Sequence, residues 1–396
     1  MTQPALPYFR LSGFYLLYFG TLGVLMPYWS LYLRELGFDG TQIGQLVAIL
    51  LGTKIVAPYL WGMLADASGR LMPVIRAATL LALLCYAGVL ATESFIGLAL
   101  VMMAFSFFWN AALPQFEAVT LNHLGQRTEV YSRIRLWGSI GFIASVVGLG
   151  MALEHFSPLV LPWVALALFA ALFALSTTVP ESRQQATDSG TAPISRVLRR
   201  PEVIGFFVVF FLIQASHGPY YAFFTLHMED LGYRRATIGQ FWALGVVAEI
   251  VAFLLMPRLM ARFGPRVLLL VALAATTLRW LVTALYADQA PVIVAAQTLH
   301  LFSFAMSHAV AMYYVHQFFI GRHQGRGQAL YSALTFGAGG AFGSLGAGYL
   351  WAFGGNVLFF ASALAAALGL LVAWWMIPAD PRRVIEQRVY GPGPPS

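Results

Sequence analysis

The side chains in this sequence that could do chemistry are few, and most of them interrupt long apolar stretches. Lys54, the only lysine, lies well inside an apolar run at 42–64. Glu117 comes late in a run at 95–121 and Arg135 early in one at 134–153. Farther along, Glu249, Arg279, His300 and His308 sit inside three successive runs, with His217 before them and His316 after. An ionised group at bilayer depth is expensive, and such groups face the bundle interior or a watery cavity. An ammonium and a guanidinium there can hold an anion. Carboxyl and imidazole groups in a low-dielectric cavity suit reversible proton loading.

Each of these has a plainer use. Glu117 and Arg135 either face a substrate or lock two helices as a buried pair. Lys54 either snorkels to the interface or stands as a fixed positive charge in a cavity; its depth favours the cavity. Glu249, His300 and His308 either carry protons or substrate, or tie helices together. His217 and His316 are ordinary packed polar residues unless a cavity reaches them. Aromatics such as Tyr15, Tyr18, Phe19, Trp109, Trp137, Tyr220, Tyr221 and Trp242 mostly pack or form the interfacial belt, and a few can cover a planar or sugar-like solute.

The elements that must position these groups are membrane helices. The chain has 396 residues, 59% hydrophobic and 10% charged, against roughly 25% charged in soluble domains. A span needs about 20 apolar residues. Runs of that size lie near 9–33, 42–64, 72–91, 95–121, 134–153 and 158–179, and again near 203–227, 237–261, 267–287, 291–318, 327–352 and 356–377. The first run is too long for the apolar region of a secretory signal, and no small-residue cleavage site follows. The net charge of +7 does not indicate nucleic-acid binding, because the basic residues sit in short gaps between runs. Alternate gaps hold Arg70 and Arg76; Arg127 and Arg133; Arg183, Arg196, Arg199 and Arg200; Arg258, Arg262 and Arg266; Arg322 and Arg326; and Arg382, Arg383 and Arg388. The other gaps hold only Arg34, Arg234 and Arg235, among acids. The asymmetry predicts a bacterial inner-membrane protein with both termini cytoplasmic.

The two sets of runs are related. LRELGFDGTQIGQL at 33–46 matches MEDLGYRRATIGQF at 228–241, at the same place in each set. The division predicts an N-terminal six-helix half over 1–180, a cytoplasmic linker over 181–201, a C-terminal half over 202–380 and a cytoplasmic tail over 381–396. Such repeats build one large class of transporters, though they occur in channels too. Glycines crowd the run at 327–352 and the equivalent one at 134–153. Small residues let backbones approach, so closing contacts between the halves are expected there. The single cysteine, Cys85, excludes disulfides within the chain. No phosphate-binding loop, zinc spacing or nucleophile elbow occurs, so neither an enzyme, a nucleotide-driven pump, nor a metal or other cofactor is expected.

Gly62, Asp66, Gly69 and Arg70, in GMLADASGR at 62–70, resemble the signature loop of the major facilitator superfamily. The echo at 257–266, PRLMARFGPR, lacks the acid. NAALPQFEAVT at 110–120, YSRIRLWGSIGF at 131–142, GVVAEIVAFLLMPRL at 245–259, TLRWLV at 277–282, TLHLFSFAMSHAVAMYY at 298–314 and QALYSAL at 328–334 resemble the phenylpropionate:proton symporter group, which is related to the lactose permease family. The resemblance implies an all-α membrane protein of twelve helices in two six-helix halves. It implies a gating role for Asp66 and its loop, substrate binding by Glu117 and Arg135, and proton coupling by Arg279 and His300 with Glu249 as partner. Where the lactose permease pattern has a glutamate three residues after the histidine, this chain has Ser303, so that role passes to Glu249, His308 or another group. Lys54 has no counterpart in the sugar permease.

These readings together predict a proton-coupled importer of a small organic solute, with an aromatic carboxylate leading, a sugar or nucleoside next, an exporter third and a non-transporting receptor last. Lys54, Glu117, Arg135, Trp137, Tyr18, His217 and Tyr221 would bind substrate, and Glu249, Arg279, His300 and His308 would couple protons. The expected partners are the substrate and the lipid bilayer, with the monomer as the working unit.

Overall fold

The computed structural model describes residues 6–125, 127–182, 194–320 and 323–379. Most of the expected linker (183–193), the whole tail (381–396), and with them Arg183, Arg322, Arg382, Arg383 and Arg388, lie outside the described residues. The rest is all-α. Eleven helices are long and apolar enough to cross a membrane: α1 (Tyr8–Glu35), α2 (Gly40–Ser68), α3 (Leu71–Ala91), α4 (Phe95–Leu124), α5 (Tyr131–Ala152), α6 (Pro158–Thr178), α7 (Pro201–Asp230), α8 (Arg235–Phe263), α9 (Pro265–Tyr286), α10 (Ala290–Phe318) and α12 (Gly355–Met376). The twelfth, α11 (324–350), is continuous but contains a π-helical stretch, Ala333–Gly339. α10 has another, Leu301–Met306, and α2 tightens to a 3-10 turn at Thr53–Ile55.

The repeat seen in the sequence is a repeat of turn chemistry. α1 and α7 both end on a glycine with φ of +86°, Gly37 and Gly232. In each, the next residue's N–H bonds back to the helix, Phe38 to Leu33 at 3.2 Å and Tyr233 to Met228 at 3.0 Å. Glycine meets that left-handed φ without a Cβ clash. α2 then starts on Asp39, whose carboxylate accepts the Gln42 N–H while the Gln42 side chain accepts the Asp39 N–H, a reciprocal cap.

α1 and α7 are the most buried helices. α1 packs on α5 and α6, and α7 on α11 and α12. The halves join where α2 meets α11 and α5 meets α8. Here "distal" names the face with the turns at 36–39 and 231–234, and "terminal" the face with Tyr8 and Met376. One apolar core runs through the N-terminal half and across into the distal part of the C-terminal half, through Phe223, Trp242 and Phe359. The terminal part of the C-terminal half keeps a separate core around Phe206, Leu269 and Tyr314.

The glycine-rich helices do meet the opposite half, and their partners are α2 and α8. A Cβ on Gly44 of α2 would lie 2.6 Å from the Gly348 Cα of α11, and one on Gly150 of α5 would lie 2.8 Å from the Arg235 carbonyl oxygen of α8. The contact on α11 continues down α2 through Leu51 and Gly52 to Ile55, beside Gly337. Past that point the same stripe of α2 carries Tyr59 and Met63, both at least half exposed. The halves therefore close at the distal face and part below the level of Lys54, leaving the centre open towards the terminal face.

Candidate functional site

The C-terminal half holds a polar cluster in its core. Arg279 of α9 is 1% exposed. It donates to His300 Nδ1 (2.8 Å), Ser303 Oγ (3.0 Å) and Gln297 Oε1 (3.2 Å), all on α10. Its guanidinium also lies over the rings of Trp280 (4.2 Å) and Tyr220 (4.6 Å). His300 Nε2 is 2.7 Å from Glu249 Oε1 of α8. Because an arginine only donates, His300 Nδ1 accepts, and a neutral His300 carries its proton on Nε2, directed at the carboxylate. His217 of α7 gives its Nδ1 proton to the Ile213 carbonyl (2.8 Å), which leaves Nε2 to accept from Ser303 (3.2 Å). Tyr220 completes the cluster by donating to Gln297 at 3.2 Å. Every polar group here is bonded, as burial demands, and the chain Arg279–His300–Glu249 links three helices.

The N-terminal half is different. Lys54 sits in the 3-10 turn of α2, partly buried, and its ammonium has no protein partner among the described residues. Beside it, Asn110 of α4 donates to the Leu50 carbonyl (3.0 Å) and to Thr53 (2.8 Å). Those bonds take up two oxygens near the break in α2. Glu117 and Arg135 form no direct ion pair among the described residues. Arg135 lies over Phe19, 3.9 Å from the ring centre, and 5.6 Å from that of Tyr15, while Glu117 neighbours the Tyr131 hydroxyl. The two groups are thus close but not in direct contact in this state, and the guanidinium lies against aromatic faces.

The remaining expected residues scatter. Tyr18 is buried against Trp109, with ring centres 5.1 Å apart. Trp137 donates to Tyr8 (3.2 Å) near the terminal face. Tyr221 lies next to His217. His308 is separate from the Glu249–His300 contact and bonds Tyr331 of α11 (3.2 Å). His316 bonds the Met312 carbonyl of its own helix and stays outside the site. Of the signature loop, Gly69 turns the chain with φ of +64°, Arg70 precedes α3, Gly62 lies against Gln115, and Asp66 is exposed at the end of α2.

Two groups of residues were not anticipated. Glu181, inside the expected linker, accepts the N–H groups of Leu71 and Met72 at the start of α3, each at 3.2 Å, the place where a carboxylate meets a helix N-terminus best. On the distal face, Arg34 bonds Glu229 and Asp230, the latter at 2.6 Å. Arg235 bonds Glu229 (2.6 Å) and the Leu153 carbonyl (3.0 Å). Glu154 accepts from the Ala236 N–H (2.9 Å) and from Arg234 (3.0 Å). The Ala236 bond, opposed by partial desolvation and helped by Arg234, holds the Glu154 carboxyl below the usual range. Every basic residue that departed from the charge asymmetry is thus used in a latch between the halves, and that departure was the signal for it.

A model of the MFS_1 like family matches residues 8–361. The chain is 30% identical over 384 residues to the "Probable 3-phenylpropionic acid transporter" of Escherichia coli (strain K12), covering 92% of this chain and 97% of that one. It is also 30% identical over 374 residues to a maltose permease of Geobacillus stearothermophilus, covering 91% and 92%. Among solved structures, the nucleoside transporter NupG superposes with a TM-score of 0.83 at 18% identity, over 94% of this chain and all of that one, a likeness of fold.

Proposed function

The chain belongs to the MFS_1 like family of membrane transporters, and we propose that it imports a small aromatic carboxylate together with a proton by alternating access. It is a multi-pass transporter and not an enzyme. The observation that carries the finer reading is Lys54. An ammonium at that depth costs about 3 kcal/mol on insertion scales, and no group of the protein offsets it among the described residues. A ligand carboxylate arriving between the halves would.

The Glu249–His300–Arg279 chain supplies the second half of the cycle. With Glu249 ionised, its charge is balanced by Arg279 through His300. A proton on Glu249 leaves the cluster with a net positive charge that an anion at Lys54 would offset. Loading both adds no net charge to the membrane interior, which removes the electrostatic penalty on either alone. On the charge asymmetry we take the terminal face as the cytoplasmic one, which makes the state described here open inward and latched outward.

The maltose permease relative, also 30% identical and covered to 92% of its length, favours a neutral sugar as the second reading. Uptake into proteoliposomes separates them. With an acidic exterior, 3-phenylpropionate should accumulate and maltose should not, and dissipating the pH gradient should abolish accumulation. Accumulation of maltose but not of the acid would reverse the order.

A further inference from the structure

The three departures from α-helical geometry in the membrane interior converge. They are the 3-10 turn at Thr53–Ile55 and the π stretches Leu301–Met306 and Ala333–Gly339. A Cβ on Gly337 would lie 2.8 Å from the Ile55 side chain and 3.3 Å from the Lys54 carbonyl carbon, so the π stretch of α11 abuts the lysine's own backbone. The neighbouring Phe336 faces Phe304 from the π stretch of α10, with ring centres 6.3 Å apart. His308 lies 6.0 Å from Phe336 and stacks near Phe304 at 6.3 Å. Phe304 in turn stacks on His300 at 5.7 Å.

None of these three rings is sealed in a core: Phe304, His308 and Phe336 are all partly exposed. A π turn costs hydrogen-bond geometry and is found most often at functional sites, where the added residue re-aims side chains. Here two such turns aim one phenylalanine each at the same space, at the level where the halves part. In the N-terminal half, Tyr18 stacks on Trp109 and Trp137 donates to Tyr8.

We propose that this space is the ring subsite for an aryl-alkanoate, with Phe304, Phe336 and His308 covering the ring while Lys54 takes the carboxylate. The proposal rests on the carboxylate reading above and specifies where the ring goes. It places the ring next to His300, so the occupied subsite adjoins the proton-bearing cluster.

Binding to purified protein tests it with three probes: 3-phenylpropionate, 3-cyclohexylpropionate, which keeps the acid and loses the π face, and 3-phenylpropanamide, which keeps the ring and loses the charge. Phe304→Leu and Phe336→Leu should each weaken 3-phenylpropionate about three- to tenfold and the cyclohexyl acid much less, the scale of one lost aromatic contact. Lys54→Gln should weaken both acids alike and leave the amide unchanged. Retained binding of the cyclohexyl acid by each leucine variant shows that the variant is folded. If the leucine variants bind 3-phenylpropionate within about twofold of the parent while the Lys54 dependence persists, the ring subsite is wrong and the carboxylate reading stands. If the parent binds neither acid, both are wrong.

Discussion

Lys54 and Arg279 are basic residues of the membrane interior in opposite halves, and the protein treats them differently. Arg279 has three side-chain acceptors and two aromatic faces. Lys54 has no partner among the described residues and sits at a break in its helix. Arginine's flat fork can be satisfied by a fixed neutral cluster, whereas an ammonium on a flexible stem is a mobile point charge suited to meeting a ligand. A third group, Arg34, Arg234 and Arg235, finds partners at the distal seam between the halves. The location of a charge's partner thus separates three roles. A partner in the same half builds a fixed cluster, a partner across the seam holds one conformation, and no partner leaves the charge for a solute.

The largest effect should come from exchanging Arg279 and Lys54, one at a time, for methionine. Arg279→Met leaves His300, Ser303 and Gln297 without their donor and Glu249 without its balancing charge, a loss of about 3 kcal/mol or more. Lys54→Met removes a charge that nothing offsets and should leave the ligand-free protein as stable or more so. Melting of both variants in detergent checks this. Equal destabilisation would mean that Lys54 has a protein partner and that the contrast is wrong.

Glu249→Gln comes next. Glutamine keeps an oxygen to accept the His300 proton, so the cluster holds together, but the site no longer titrates. Uptake driven by a pH gradient should fall about tenfold or more, as expected when an essential acid–base group is lost, while exchange of labelled for unlabelled solute at equal pH continues. Loss of both would make Glu249 a structural member of the cluster.

The spans were legible because twenty apolar residues leave no other solution, and the halves because LGF and LGY demand the same left-handed glycine. Glu249, Arg279 and His300 were legible as costly residues in apolar runs. Their bonding was not, because Ser303 and Gln297 are ordinary polar residues whose value depends on a helix packed opposite. The stacking of Arg135 on Phe19 was hidden for the same reason: nothing in the sequence says which ring the guanidinium will meet. The π stretches left no trace either. Phe304 and Phe336 are two among 31 phenylalanines, and only the backbone sets them apart.

A smaller effect concerns the seam. Glu229 engages both Arg34 and Arg235, so Glu229→Gln weakens two contacts at once. Partly exposed pairs contribute about 0.2–1 kcal/mol each, which shifts a two-state equilibrium a few-fold. Spin labels at Phe156 and Leu231, exposed on opposite halves of the distal face, should report a larger distal-open fraction. No change would mean that glycine packing alone closes this face.

The smallest effect, and the one that isolates the interior, is acid titration of the latch at Glu154. Its carboxyl is held below the ordinary range, first by the Ala236 N–H and then by Arg234. A depressed carboxyl contributes stability at any pH above its ordinary value, about 4.3, and loses it only as the pH falls through the lowered one. This contact should therefore be constant from mildly alkaline to mildly acidic pH. The Phe156–Leu231 distance should stay flat from about pH 8 to pH 5 and lengthen only below about pH 4. Glu154→Gln keeps the bond to Ala236 but loses the charge facing Arg234, and should flatten the acid response. If the parent instead opens between about pH 8 and pH 5, the seam itself senses protons. If it does not, any pH dependence of uptake in that window originates among the buried groups, where Glu249 and His300 are in contact.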